Sequence, residues 1–272
     1  MLRNRPPRPA TPAPTELRRQ IIDDFQTMRI PLRLEHLDAA LGRAETEGMS
    51  HLEFLRALIN EQANARRERS LAHRIHIAGF AQSKTLADFD WQFNAQAIDR
   101  VRIETLAGGE FVGRRQNLVW VGQSGVGKSH LIQAIGRSAC VLGYRVRYET
   151  SASILQALTA ALADHTLPRL LRYYAKFDLV ILDEFGFDRV ERLESPQVAS
   201  LLYKLINVRD DQSTALVTNV DFEKWGEYLG DPPLAMALLD RIVDRAAILK
   251  INGKSYRAHR AEQASDRKAT KK

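Results

Sequence analysis

One segment constrains this chain more than any other. Gly122-Gln123-Ser124-Gly125-Val126-Gly127-Lys128-Ser129 fits G-x-x-x-x-G-K-[ST] at every fixed position. It follows a short apolar run, Leu118-Val119-Trp120-Val121, and precedes a stretch with an apolar helical face. That context is a strand, a glycine-rich turn and a helix, so the segment reads as a phosphate-binding loop. Its glycines let the backbone curl until successive N–H groups, that of His130 included, point at an anion. Lys128 brings a point charge to the β- and γ-phosphates of a nucleotide. Ser129 offers its hydroxyl to Mg²⁺.

The text downstream alternates between strand and helix patterns. Phe177-Asp178-Leu179-Val180-Ile181-Leu182 is a mostly apolar run ending in Asp183-Glu184. Strands are expected also at 144–150, 214–218 and 246–251, with helices between them, one at about 195–207. The expected fold is α/β: a parallel sheet with helices on both faces. Adjacent carboxylates at a strand tip repel unless something uses them. Asp183 would hold the metal through water and Glu184 would polarise a nucleophilic water. Ala215-Leu216-Val217-Thr218-Asn219 ends the next strand, where parallel sheets bind ligands, so Asn219 would face the γ-phosphate. Arg241 and Arg245 stand one helical turn apart, and either could reach a neighbouring subunit's nucleotide; surface pairing with nearby Asp is the alternative. The catalytic set is then Lys128, Glu184, Asn219 and Arg241.

Residues 1–14 are a Pro-rich arm, with five prolines between Arg3 and Pro14. Residues 15–80 read as a small all-helical unit without a catalytic constellation. Leu17, Ile21, Phe25 and Met28 have helical spacing, a second helix runs from Leu34 to Glu47, and Ser50 with Glu53 forms a capping box. The third helix is expected to bury Leu52, Leu55, Leu58 and Ile59. Residues 81–258 would carry the nucleotide site and 259–272 a basic tail. The chain has 272 residues, 40 Lys+Arg against 33 Asp+Glu, and a net charge of +7. Residues 250–272 hold eight Lys+Arg and two acids, 8 − 2 = +6, which suits a polyanion or simply solubilises the end. Arg169, Arg172 and Lys176, interleaved with Tyr173 and Tyr174, form a basic-aromatic stretch that reads either as a DNA contact or as a solvated helix face. A single cysteine, Cys140, leaves no intramolecular disulfide. No run is long and apolar enough for a membrane span, and the N-terminus lacks the apolar stretch of a signal peptide, so a cytoplasmic protein is expected.

The order of these motifs resembles an AAA+ ATPase. More narrowly, the chain resembles the IstB-like family, ATP-binding helpers of insertion-sequence transposition and relatives of the DnaC helicase loader. The matching stretches are Lys84-Thr85-Leu86-Ala87-Asp88-Phe89-Asp90, Gly127-Lys128-Ser129-His130-Leu131, Asp183-Glu184-Phe185-Gly186, Asn219 to Gly226, and Gly253-Lys254-Ser255-Tyr256-Arg257. They span roughly residues 20–260. Val217-Thr218-Asn219 departs from the Thr-Ser-Asn or Thr-Thr-Asn of many members, and Ser129 stands where many have Thr. Only 53 residues follow Asn219, too few for a full helical lid. The resemblance implies a bacterial ATPase using ATP and Mg²⁺. It implies ATP-dependent assembly with itself into a ring or spiral on duplex DNA and the recruitment of a transposase, hydrolysis driving disassembly. A helicase loader with the same site is the competing reading. A P-loop small-molecule kinase fits less well, lacking an acceptor-binding lid, and a non-hydrolysing ATP-gated module would not need Glu184.

Overall fold

The computed structural model describes residues 13–186 and 197–269, with side chains described to Gln263. The Pro-rich arm to Pro12, the start of the helix expected at 195, and the last three residues lie outside the described residues. The chain forms two compact units, residues 1–70 and 71–272.

The first unit contains α1 (Pro14–Thr27), α2 (Leu34–Glu47) and the first part of α3 (His51–Ala78). Its small core is Leu32, Leu37, Ala40 and Leu58, with Ile21, Ile22, Phe25 and Phe54 against it. The capping box forms: the Ser50 N–H donates to Glu53 Oε2 (2.8 Å), and the Glu53 N–H to Ser50 Oγ (3.3 Å). Burial of Leu52, Leu55 and Ile59 is not observed; they are 77%, 49% and 52% exposed. Only the stripe carrying Phe54 and Leu58 meets this core, and Leu52, Leu55 and Ile59 fall on the adjoining face of the same helix. Residues 71–80, grouped with this unit on sequence, pack in the second: Leu71, Ile75, Ala78 and Phe80 join its core.

The second unit is a five-stranded sheet of order β2-β3-β4-β1-β5. The strands are β1 (Asn117–Gly122), β2 (Val146–Thr150), β3 (Leu179–Phe185), β4 (Ser213–Thr218) and β5 (Ala246–Ile251), and every pairing is parallel. Side chains alternate across the sheet. Val119, Val121, Val180, Leu182 and Leu216 enter one core cluster, Leu118, Trp120, Leu179, Ile181, Ala215 and Val217 the other. Both faces are covered, which is why these strands read as unbroken apolar runs. Helices α4 (Arg100–Ala107), α5 (Glu110–Gly113) and α6 (Lys128–Val141) contribute to the second cluster. Helices α7 (Ser151–Ala163), α8 (Leu167–Tyr174), α9 (Val198–Asn207), α10 (Trp225–Leu229) and α11 (Pro232–Val243) contribute to the first. Trp225 and Tyr228 are packed there, 1% and 9% exposed. Helix α12 (Tyr256–Ala269) runs through most of the stretch expected as a basic tail.

At the opposite end of the sheet from the glycine loop, the buried Arg209 guanidinium ties three segments together. It donates to the carbonyls of Tyr174, Phe177 and Ser213 and to Thr214 Oγ1. Burial pushes its pKa down to about 9, the nearby Asp178 opposing. Among the described residues no membrane-length apolar helix occurs.

Candidate nucleotide site

The loop between β1 and α6 leaves the carboxyl end of β1, which lies between β4 and β5. Gly125 and Gly127 have φ of +83° and +102°, a conformation L side chains resist. A Cβ on Gly127 would also lie 2.8 Å from the Phe89 ring. Helix α6 begins at Lys128, so its N-terminal dipole faces the loop. Lys128 is 5% exposed, and its Nζ donates to the carbonyls of Gly122 (2.6 Å) and Gln123 (2.7 Å). Burial pushes its pKa down to about 8; Asp183 opposes this and Arg257 adds to it.

Asp183 and Glu184 part company at a bulge. Pairing of β3 with β4 steps from Leu182↔Leu216 to Phe185↔Thr218, one residue more on β3 than on β4. A bulge re-aims side chains and increases local twist. Asp183 stays in the interior at 1% exposure, whereas Glu184, with φ of +63°, is turned out to solvent. A non-glycine residue held in that region carries strain that the surrounding sheet must impose. Asp183 is fully engaged. Its Oδ1 accepts from Ser129 Oγ (3.1 Å) and from the Glu184 N–H (2.8 Å), and its Oδ2 accepts from the Tyr148 hydroxyl (2.8 Å). Burial, then the charge of Asp183, raises the Tyr148 pKa, so the phenol remains a donor.

These groups border a cavity of about 350 Å³ lined by Ser124 to His130, Asp183 and Glu184. Two further walls border it, and of their residues the sequence singles out only Arg257, as either a phosphate contact or a structural residue. One is residues 82–94, with Lys84, Asp88, Phe89 and Phe93; the other is α12, with Tyr256, Arg257 and Arg260. Asn94 joins them, its Nδ2 donating to the Lys254 carbonyl and its Oδ1 accepting from the Lys254 N–H, both at 3.0 Å. The Tyr256 N–H donates to the Gly125 carbonyl (2.9 Å), which seats α12 on the loop itself. Phe93 stacks edge-on to Tyr256, with ring centroids 5.0 Å apart. A flat apolar base and a polyanion both find complementary surface here. The signal was present as the two motif stretches at 84–90 and 253–257, but nothing in the sequence placed them side by side.

His130 lines the cavity, yet its N–H is engaged with the Gly127 carbonyl (3.1 Å) rather than free for phosphate. Its ring Nε2 lies 2.8 Å from the Thr85 carbonyl, anchoring the 82–94 wall. Gly122 and Gln123 meet the site only through the carbonyls that hold Lys128. Asn219 is exposed at the end of β4 beside Gly186 and does not line the cavity, whereas Val217 does. Arg241 and Arg245 lie at the other end of the sheet. The Arg241 carbonyl accepts from Asn117 Nδ2 at the start of β1 (3.4 Å), and its guanidinium pairs with Asp210 (3.3 Å) and lies 5.8 Å from the Tyr203 ring centroid. Arg245 is exposed beside Asp244 (3.4 Å). Neither lines this cavity. Arg169, Arg172 and Lys176 are exposed, and among the described residues none pairs with a carboxylate. Of the interleaved tyrosines only Tyr173 is on the surface; Tyr174 is buried and donates to Glu149 (3.3 Å). Cys140 is buried, and burial raises its pKa to about 11.

An Mg²⁺ ion fits this donor set. Among the described residues no cluster of three or more His, Cys, Asp or Glu could hold a metal unaided. One hydroxyl and one carboxylate 3.1 Å apart leave the rest of an octahedral shell to phosphate and water, the usual manner of Mg²⁺ at nucleotides.

The pattern of the family described as IstB-like ATP binding protein matches residues 27–264. The insertion sequence IS21 ATP-binding protein of Pseudomonas aeruginosa is 34% identical over 246 residues, 89% of this chain and 91% of that one. The IS232 ATP-binding protein of Bacillus thuringiensis subsp. berliner is 30% identical over 239 residues, 88% of this chain and 94% of that one. Among solved structures, AMPPCP-bound DnaA from Aquifex aeolicus superposes with a TM-score of 0.50 at 21% identity, over 64% of this chain and 51% of that one; this shows the shared fold.

Proposed function

The chain belongs to the IstB-like ATP-binding protein family, and from that premise we propose that it is an ATP-hydrolysing helper of insertion-sequence transposition. The observation that carries the reading is the convergence of Lys128, Ser129, Asp183 and Glu184 on one cavity at the carboxyl ends of β1 and β3. Backbone N–H groups of the loop would hold the phosphates. Lys128 would exchange its two carbonyl contacts for phosphate oxygens. Ser129 and Asp183 would hold Mg²⁺, which neutralises charge developing on the phosphates. Glu184, exposed beside this pair, would polarise the attacking water. Arg241, or Arg245, would complete the site of a neighbouring copy, since both stand at the far end of the sheet from the cavity of their own subunit. ATP would thereby join subunits, and turnover would release them.

The assembly would lie on duplex DNA through phosphate contacts from exposed cations such as Arg169, Arg172 and Lys176, and would stimulate a transposase. Phosphate contacts supply affinity without sequence information, which suits a helper that accepts many targets. The relatives are named as insertion-sequence proteins, and this favours transposition over helicase loading. The deciding experiment measures Mg²⁺-dependent ATP turnover with and without duplex DNA. Glu184→Gln keeps shape while removing the base, so nucleotide affinity stays within a few-fold and turnover falls about 10²-fold or more. Unchanged turnover in that variant overturns the assignment.

A further inference from the structure

We infer that Tyr148 is a positioning residue for the Mg²⁺ site, its hydroxyl holding one oxygen of Asp183 so that the other is kept for the ion. The inference rests on the ATPase reading above. Tyr148 lies on β2, two positions before Thr150, which pairs with Asp183 across β3. Its ring is 6% exposed and packs against Phe80, with centroids 6.0 Å apart. The hydroxyl donates to Asp183 Oδ2 at 2.8 Å, on the carboxylate oxygen that Ser129 does not touch.

The direction of that bond is set from behind. Gln133, 3% exposed on α6, donates its Nε2 to the Tyr148 oxygen at 3.4 Å. A phenol has one proton. With a donor already at its lone pair, that proton goes to Asp183. Gln133 Oε1 has no partner among the described residues, so the amide is spent on this contact alone. A carboxylate's last torsion is broad, so without a bond on its far oxygen the plane of Asp183 could turn and carry the ion-facing oxygen out of line. Three donors, Ser129 Oγ, the Glu184 N–H and the Tyr148 hydroxyl, fix one orientation. Of these only Tyr148 sits on the Oδ2 side, and none of the expected site residues supplies a substitute.

The test uses the full chain with Tyr148→Phe, which keeps the ring and removes the hydroxyl. Binding of a slowly hydrolysed ATP analogue is titrated in EDTA and across an Mg²⁺ series, with Mn²⁺ binding followed by electron paramagnetic resonance. The expected result is metal-free nucleotide affinity within twofold of the parent. The Mg²⁺ concentration for half-maximal enhancement should rise about tenfold, the scale of one charge-assisted hydrogen bond, with a matching weakening of Mn²⁺. An unchanged metal response overturns the inference and leaves the ATPase reading standing. An equal fall in metal-free affinity also overturns it, because that is general damage. If the parent itself shows no metal-dependent binding, the ATPase reading fails and this inference with it. Should Tyr148→Phe not fold, Gln133→Met decides. It frees the hydroxyl to turn away and should shift the Mg²⁺ response about threefold in the same direction, and no shift overturns the inference.

Discussion

Lys128 offers the sharpest quantitative test, because its charge in the empty site is marginal. Burial brings its pKa from an ordinary 10.5 to about 8, with Arg257 pushing the same way and Asp183 opposing. Phosphate beside the ammonium favours the cation, so binding raises the pKa again. Above pH 8 the empty protein has lost this proton and must recover it to bind. Affinity is therefore level below about pH 7.5 and declines above it, approaching tenfold per pH unit. From pH 7 to 9 the protonated fraction drops from about nine tenths to one tenth, and Kd rises about tenfold. A phosphate's second ionisation near pH ~6 lies below this window and does not interfere. For folding the sign is opposite. The unfolded chain binds more protons between about pH 8 and 10.5, so this lysine makes the empty fold more stable as pH rises through that range. Calorimetric titration with ATP in buffers of different ionisation enthalpy counts the protons taken up. Lys128→Arg keeps the charge throughout and should give a level profile. A parent curve flat from pH 7 to 9, or the same decline in Lys128→Arg, refutes the reasoning.

If Arg241 completes a neighbouring copy's site as proposed, mixing Arg241→Ala chains with Glu184→Gln chains should restore part of the turnover, since each would damage a different half of the interface; recovery with Arg245→Ala instead would move the role to that residue. Reversing Arg169 and Arg172 to Glu should lower the slope of log K against log salt on duplex DNA by about 0.9 for each phosphate no longer neutralised, as read from filter or fluorescence binding; an unchanged slope refutes a DNA contact at these residues. Arg209→Met should destabilise the second unit by about 3 kcal/mol or more, because it strips the partner from three buried carbonyls at roughly 1–3 kcal/mol each; thermal melting measures this, and a loss under about 1 kcal/mol would show that water replaces the guanidinium.

The sheet was legible because its physics is local. Strands covered on both faces must be apolar throughout, and Leu118–Val121 and Leu179–Leu182 are. The glycine loop was legible because positive φ at Gly125 and Gly127 is a backbone demand that few other residues meet. Asp183-Glu184 was legible as an anomaly, two like charges where the strand should end. The bulge that turns one in and the other out was not, because it depends on counting residues in β4 against β3. The buried face of α3 was misread for a similar reason. Leu52, Leu55 and Ile59 have the same spacing as a core stripe, and periodicity says that a face is apolar without saying that anything covers it.

The remainder of the site depends on contacts between distant parts of the chain. Asn94 and Lys254 are paired, and a side-chain amide bridging both groups of one peptide leaves no trace in either sequence. Tyr148 reads as an ordinary apolar position of a strand, and only the register β2 against β3 puts its hydroxyl on Asp183. The two stretches that resembled the family without an evident task, 84–90 and 253–257, acquire one by the same route. One brings Phe89 against Gly127, the other seats Tyr256 on Gly125, so the loop's two left-handed glycines are each contacted from a different end of the unit. A nucleotide entering between them would meet the 82–94 segment and α12 together. Occupancy of the loop would thus reach both walls without any change in the sheet.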